Sequence, residues 1–130
     1  MRRLAILSLI VLSSCVLRFG PHANRYDPAT RASGTAATIT TAASQIAGEL
    51  LEVRDTALVL LTSSRVTLVP NRLIRAARFD DLPRSHTGSL TREETGRMRL
   101  LSRFPYGMPD QALAQLMSRR RQQTLDVVDK

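Results

Sequence analysis

The stretch that decides the fold is Ala57-Leu58-Val59-Leu60-Leu61. Five consecutive apolar residues are too few for a stable helix and suit a strand covered on both faces. Polar turn residues flank the run. Arg54-Asp55-Thr56 precede it, and Ser63-Ser64 follow it as a two-residue turn. Arg65-Val66-Thr67-Leu68-Val69 then reads as the next strand, closed by Pro70-Asn71. Upstream, Ile46 to Val53 and the β-branched Thr35 to Thr41 supply two more strands, and Ile74 to Phe79 supplies a last one. Helix competes for 42–54, where Ala, Glu and Leu dominate, but Gly48 and the β-rich neighbours favour a strand. Short runs at close spacing predict an antiparallel meander or small barrel over 34–80.

Further along, Asp80 to Leu90 is polar, contains Pro83, His86 and Gly88, and reads as a loop. Thr91-Arg92-Glu93-Glu94 has the spacing of a capping box, with Thr at the cap and Glu three residues on. A helix from Arg92 to about Arg103 follows, with Met98 and Leu101 on one side and Leu100 beside them. Phe104-Pro105-Tyr106-Gly107 ends it, and Pro109 suits the first turn of a second helix. In that helix Ala112, Leu113, Leu116 and Met117 repeat on one face. The short connection predicts an antiparallel helical hairpin over 91–125. The fold class expected is α+β: a small antiparallel sheet or partly open barrel, then the hairpin.

The segment 46–75 resembles small Sm-like or SH3-like barrels. The resemblance rests on Ile46-Ala47-Gly48-Glu49-Leu50-Leu51, Asp55, Leu58-Val59-Leu60, Leu68-Val69-Pro70 and Leu73-Ile74-Arg75. It implies a sharp bend of the second strand at Gly48, an acidic start to the tight turn at Asp55, and a helical turn at Asn71-Arg72-Leu73. It speaks to fold and not to function. The Asn with which nucleic-acid-binding Sm proteins hold a base has no clear counterpart here, which counts against RNA binding.

The N-terminus carries a different signal. Met1-Arg2-Arg3 is positive, Leu4 to Leu12 is apolar apart from Ser8, and Leu12-Ser13-Ser14-Cys15 follows. A positive start, an apolar stretch and small residues at a cut form the layout of an export signal. The apolar run is shorter than the roughly 20 residues needed to span a bilayer. Leu12-Ser13-Ser14-Cys15 resembles the lipobox of bacterial lipoproteins. That family implies a diacylglycerol on Cys15, cleavage between Ser14 and Cys15 with Leu12, Ser13 and Ser14 recognised by signal peptidase II, and a freed amine open to acylation. Two or three acyl chains make a stable anchor where one does not. The alternative is an ordinary thiol behind a plain secretory signal or a misassigned start. Val16 stands where an Asp would signal inner-membrane retention, which leans toward the outer membrane, facing the periplasm. Residues 1–14 are then the signal peptide. Residues 15–33, with breakers at Gly20-Pro21 and Asp27-Pro28, are a flexible tether.

Composition sets bounds on chemistry. The 130 residues are 43% hydrophobic but only 4% aromatic, without Trp, so a small core must rest on aliphatic side chains. The formal charge is +8, almost all of it Arg, with Lys130 the one lysine. Loss of Arg2 and Arg3 with the signal leaves 17 basic against 11 acidic residues, still drawn to anionic surfaces. One cysteine excludes an intramolecular disulfide. His22 and His86 are too far apart in sequence to suggest a metal site, so no metal and no cofactor are expected. Ser85-His86 is the one close Ser/His pair, and adjacent residues rarely face each other productively. The carboxylate pairs Asp80-Asp81 and Glu93-Glu94 read as a strand end and an acidic first helical turn. Arg72, Arg75 and Arg78 recur every three residues, which puts at least one at an edge or rim. Arg119-Arg120-Arg121 either oppose the negative pole of a helix end or contact anionic lipid headgroups.

The resulting expectation is a non-enzymatic, membrane-anchored module of the cell envelope. It would offer an edge strand or groove to an envelope protein, without a small-molecule ligand. Its rival is a cytosolic Sm-like nucleic-acid binder with a miscalled start, disfavoured by the scarcity of aromatics that stack bases.

Overall fold

A computed structural model describes residues 32–88 and 90–130. Within them lie β1 (Ala36–Thr40), β2 (Gln45–Val53), β3 (Ala57–Leu61), β4 (Val66–Pro70), a 3-10 turn (Asn71–Leu73), β5 (Ala76–Phe79), β6 (His86–Thr87), α1 (Arg92–Leu101), α2 (Asp110–Arg119) and β7 (Asp126–Val127). The strands form one open sheet in the order β6-β5-β1-β2-β3-β4-β7, antiparallel throughout except where β7 runs parallel to β4. The class is α+β, a mostly antiparallel sheet with two helices.

The run at 57–61 is the middle of this sheet, paired with β2 on one side and β4 on the other. Its consecutive apolar residues serve two cores. Leu58 and Leu60 point into a cluster with Ile39, Leu50, Val69, Ala77, Phe79 and Met98. Val59 points the other way, to Leu51, Val66, Phe104 and Met108. Gly48 lies where β2 passes over the end of β3: a Cβ there would come within 2.6 Å of the Leu61 carbonyl oxygen. A register shift between Leu50 and Glu52 follows, and such bulges bend a strand and sharpen its twist.

The capping box at Thr91 is present, with the Thr91 hydroxyl accepting from the Glu94 N–H and the Glu94 carboxylate accepting from the Thr91 N–H. Pro109 is the residue before the first turn of α2, not within it.

The expected antiparallel helical hairpin does not form. α1 sends Met98 into the first cluster, whereas Ala112, Leu113, Leu116 and Met117 of α2 pack on the second. The helices cover opposite faces of the sheet. The cause is visible in the connection: Arg103 and Phe104 donate their N–H groups to the Leu50 and Leu51 carbonyls, at 3.0 and 2.8 Å. β1 pairs with β2 only as far as Glu49, so the chain between the helices passes alongside the free half of β2. Glu52 holds the next stretch by accepting the Met108 N–H, and Gly107 takes a left-handed conformation there, φ 103°. The supposed loop 80–90 also contributes a strand, β6, and the tail contributes β7, so the sheet reaches beyond residue 80.

Candidate functional site

The arginine run ends α2. The Arg121 N–H donates to the Ser118 carbonyl and the Gln122 N–H to the Met117 carbonyl, both at 3.0 Å, and Arg121 has φ 54°. This double closure around a left-handed residue is the Schellman turn, in which that position is usually Gly. A side chain there costs roughly 1–2 kcal/mol, yet Arg occupies it. Arg120 turns onto the neighbouring hairpin and donates to the Ser63 carbonyl at 2.8 Å. That hairpin, Thr62 to Arg65, is closed by the Thr62 N–H on the Arg65 carbonyl and by the Thr62 hydroxyl on both backbone groups of Arg65. The bond thereby brings Arg65 to the same end of the sheet as the run. Arg65 stands 3.7 Å from Asp126, which also accepts from the Thr67 hydroxyl. Arg119 and Arg121 are exposed.

Immediately beyond, Gln122 grips the edge of β4. Its Oε1 accepts the Val66 N–H and its Nε2 donates to the Val66 carbonyl, both at 2.8 Å. A side-chain amide thus stands in for a paired strand, and β7 takes over at Thr67 and Leu68. At the other edge β6 pairs with Ala76 and Ala77. Both edges end in two-residue strands, a device that blunts edge-to-edge association. Sequence reasoning missed Gln122, because nothing local distinguishes it from Gln123.

His86 does not work with Ser85, which is exposed. Its Nδ1 lies 2.9 Å from Glu94 Oε1, and its ring meets Phe79 edge-on at 6.3 Å between centroids. The pair clips β6 to the first turn of α1 beside a recess of about 480 Å³ that Leu82, Pro83, Arg84 and Arg97 also line. The Thr91 backbone N–H, and after it the Thr91 hydroxyl, hold the Glu94 carboxyl below its ordinary value of 4.5; burial opposes them and His86 adds to them. A depressed carboxyl contributes stability above its unfolded pKa and loses it as pH falls through the folded one. Acidification from about pH 4.5 downward is therefore expected to weaken the start of α1. Denaturant midpoints measured against pH check this: the gap between wild type and Glu94→Gln should close in acid, and a gap independent of pH refutes it.

The other acidic residues separate. Glu93 pairs with Arg97 one turn on, at 2.6 Å on the exposed face. Asp80 and Asp81 end β5 as expected, the Asp80 N–H donating to the Ala36 carbonyl and the Asp81 N–H to the Thr35 hydroxyl. Arg72, Arg75 and Arg78 are all exposed. Among the described residues no group of three or more His, Cys, Asp or Glu could hold a metal ion, and no helix is long and apolar enough to cross a membrane. Leu12, Ser13, Ser14, Cys15 and His22 lie outside the described residues. No known protein family, curated protein or solved structure matches the chain.

One further surface stands out. Leu100 and Tyr106 are 65% and 78% exposed, and with Pro105, Val53 and Gly107 they line an open cleft of about 630 Å³. Two charge pairs border it, Arg54 with Glu52 and Arg99 with Asp55. Tyr106 carries no sequence signal beyond that of a helix terminator, since exposure depends on what fails to pack over it.

Proposed function

We propose that the chain is a lipid-anchored lipoprotein of the cell envelope whose folded body serves as a non-enzymatic docking module. The observation that carries this is Leu12-Ser13-Ser14-Cys15 at the end of an apolar stretch, in a chain with no other cysteine. The body is compatible with a binding role. With both sheet edges ending in short strands, the groove rather than an edge is the place to receive a partner. The cleft at Leu100 and Tyr106 joins exposed apolar area to a polar rim, the composition of a protein contact. An envelope protein is the partner expected, on the membrane facing the periplasm where the host has two membranes.

Within that module, the part from β1 to β5 is read as a partly open barrel of the SH3 or Sm kind. Three features support this. The sheet order β5-β1-β2-β3-β4 has a 3-10 turn between β4 and β5. β2 bears a close approach at Gly48. Residues from all five strands share one cluster.

The test is metabolic labelling with a tagged fatty acid, comparing wild type with Cys15→Ala. Label on the wild type and its complete loss in the variant is the expected outcome. Absence of label from both overturns the anchor and favours the cytosolic nucleic-acid binder.

A further inference from the structure

We infer that the partner of this module presents an extended acidic segment, with a carboxylate three or four residues from a large apolar side chain, to a groove along α1. This deepens the docking reading above and rests on it. The cleft at Leu100 and Tyr106 does not stand alone. A second recess, of about 620 Å³, lies on the other side of the Arg99–Asp55 ion pair, and both members of that pair line both recesses. Arg92, Thr95 and Gly96 line the second recess from α1. Positions 92, 96 and 99 succeed one another at helical spacings of four and three, so they share one face, and Leu100 follows Gly96 by four. The two recesses thus form one groove.

Charge complementarity names the occupant. The acids that line the groove are engaged, Glu52 with Arg54 and Asp55 with Arg99. Arg92 is exposed and holds no ion pair among the described residues. One cation is therefore left over at one end, while the exposed Leu100 and Tyr106 stand at the other. Between them the floor is bare at Gly96, where an added Cβ would meet nothing within 4 Å. Glycine weakens a helix interior, the kind of local conflict that marks functional positions, and here it leaves room for a bound backbone. The span sets the spacing of the partner's side chains. Arg92 and Leu100 stand eight positions apart on α1, about 12 Å at roughly 1.5 Å per residue. An extended chain covers that in three or four residues, at about 3.3 Å each.

The test follows amide chemical shifts of the full chain during titration with the pentapeptide acetyl-Asp-Ser-Gly-Ser-Phe-amide, in both chain orders, and with its Asn counterparts. In the order that binds, Thr95, Gly96, Leu100 and Gly107 are expected to shift together. The Asp peptide should bind about fivefold more tightly than the Asn one, the size of an exposed ion pair. Arg92→Gln should remove that preference and leave the affinity for the Asn peptide unchanged. Moving the Asp next to the Phe should remove it as well. Gly96→Leu fills the floor and should lower both affinities more than about tenfold. Leucine favours the helix, so the thermal midpoint of this variant should not fall, which separates a blocked groove from a misfolded chain. Equal affinities for the Asp and Asn peptides, with shifts at Leu100 and Gly107, overturn the acidic segment while the docking reading stands. Shifts at the groove that grow with protein concentration, without peptide, make a second copy the occupant and overturn it too. A groove unmoved by every peptide overturns the inference, and fatty-acid label on Cys15 still decides the anchor separately.

Discussion

Truncation of Phe79 to alanine is expected to cost about 3–5 kcal/mol of folding stability. Phe79 is fully buried in a core that contains no other aromatic residue, among Ile39, Ala77, Leu50, Leu58 and Met98. The surrounding aliphatic side chains belong to strands fixed by backbone pairing, so they can close only part of the space a phenyl ring vacates. The loss also reaches beyond the sheet. The His86 ring rests edge-on against Phe79 while its Nδ1 holds Glu94. Removing the ring leaves the β6–α1 clip without its support, and a small domain has little reserve to absorb this. Guanidinium unfolding followed by far-UV dichroism measures the effect, with Tyr106→Ala as the comparison. Tyr106 is 78% exposed, and its truncation should change stability by less than about 0.5 kcal/mol. A loss below about 1 kcal/mol for Phe79→Ala would mean that β5 contributes little to the core.

The strands were legible because their signal is local. Leu58, Val59 and Leu60 announce a strand apolar on both sides, and the turns at Asp55 and Ser63-Ser64 bracket it without reference to the rest of the chain. That same run held a second message, which the hairpin expectation overlooked. A sheet apolar on both faces needs cover on both faces, and helices paired with each other could cover only one. Helical periodicity identifies the buried side of α2, at Leu113, Leu116 and Met117, but not the surface that buries it. β6 and β7 were invisible for another reason: two residues carry no period, and they are strands only because Ala76 and Leu68 lie beside them. The candidate site divides in the same way. The arginine run could be read as charge. Its company, Arg65, lies more than fifty residues earlier and joins it through the bond from Arg120 to Ser63. Glu94 was read as half of a capping box, and its other bond, to His86, depended on β6.

Gly34→Ala is the second large effect, and it arises from space rather than from conformation. A Cβ on residue 34 would lie 1.9 Å from the Leu50 carbonyl oxygen and 2.9 Å from the Arg103 nitrogen. Both are backbone atoms, joined to each other by a hydrogen bond of 3.0 Å, so neither can swing aside as a side chain would. The start of β1 must therefore move off. Doing so loosens the Gly34 N–H from Glu49, the Thr35 N–H from the Leu101 carbonyl and the Leu50 N–H from the Thr35 carbonyl. Overpacking of this kind costs typically 1–3 kcal/mol, and each hydrogen bond lost adds about 1 more. A total of about 3 kcal/mol is expected, because these bonds lengthen rather than break outright. Gly96→Ala is the matched control: an added Cβ there meets nothing within 4 Å, and alanine inside α1 should raise stability by up to about 1 kcal/mol. Opposite signs for the same chemical change, read from denaturant midpoints, would tie the first effect to the crossing of β1, β2 and the interhelical connection. Equal small changes would mean that these three segments are not in contact. The Arg103 N–H offers the finer reading: its amide exchange should accelerate in Gly34→Ala and stay protected in Gly96→Ala, since only the first substitution wedges open the bond that steers the chain from one face of the sheet to the other.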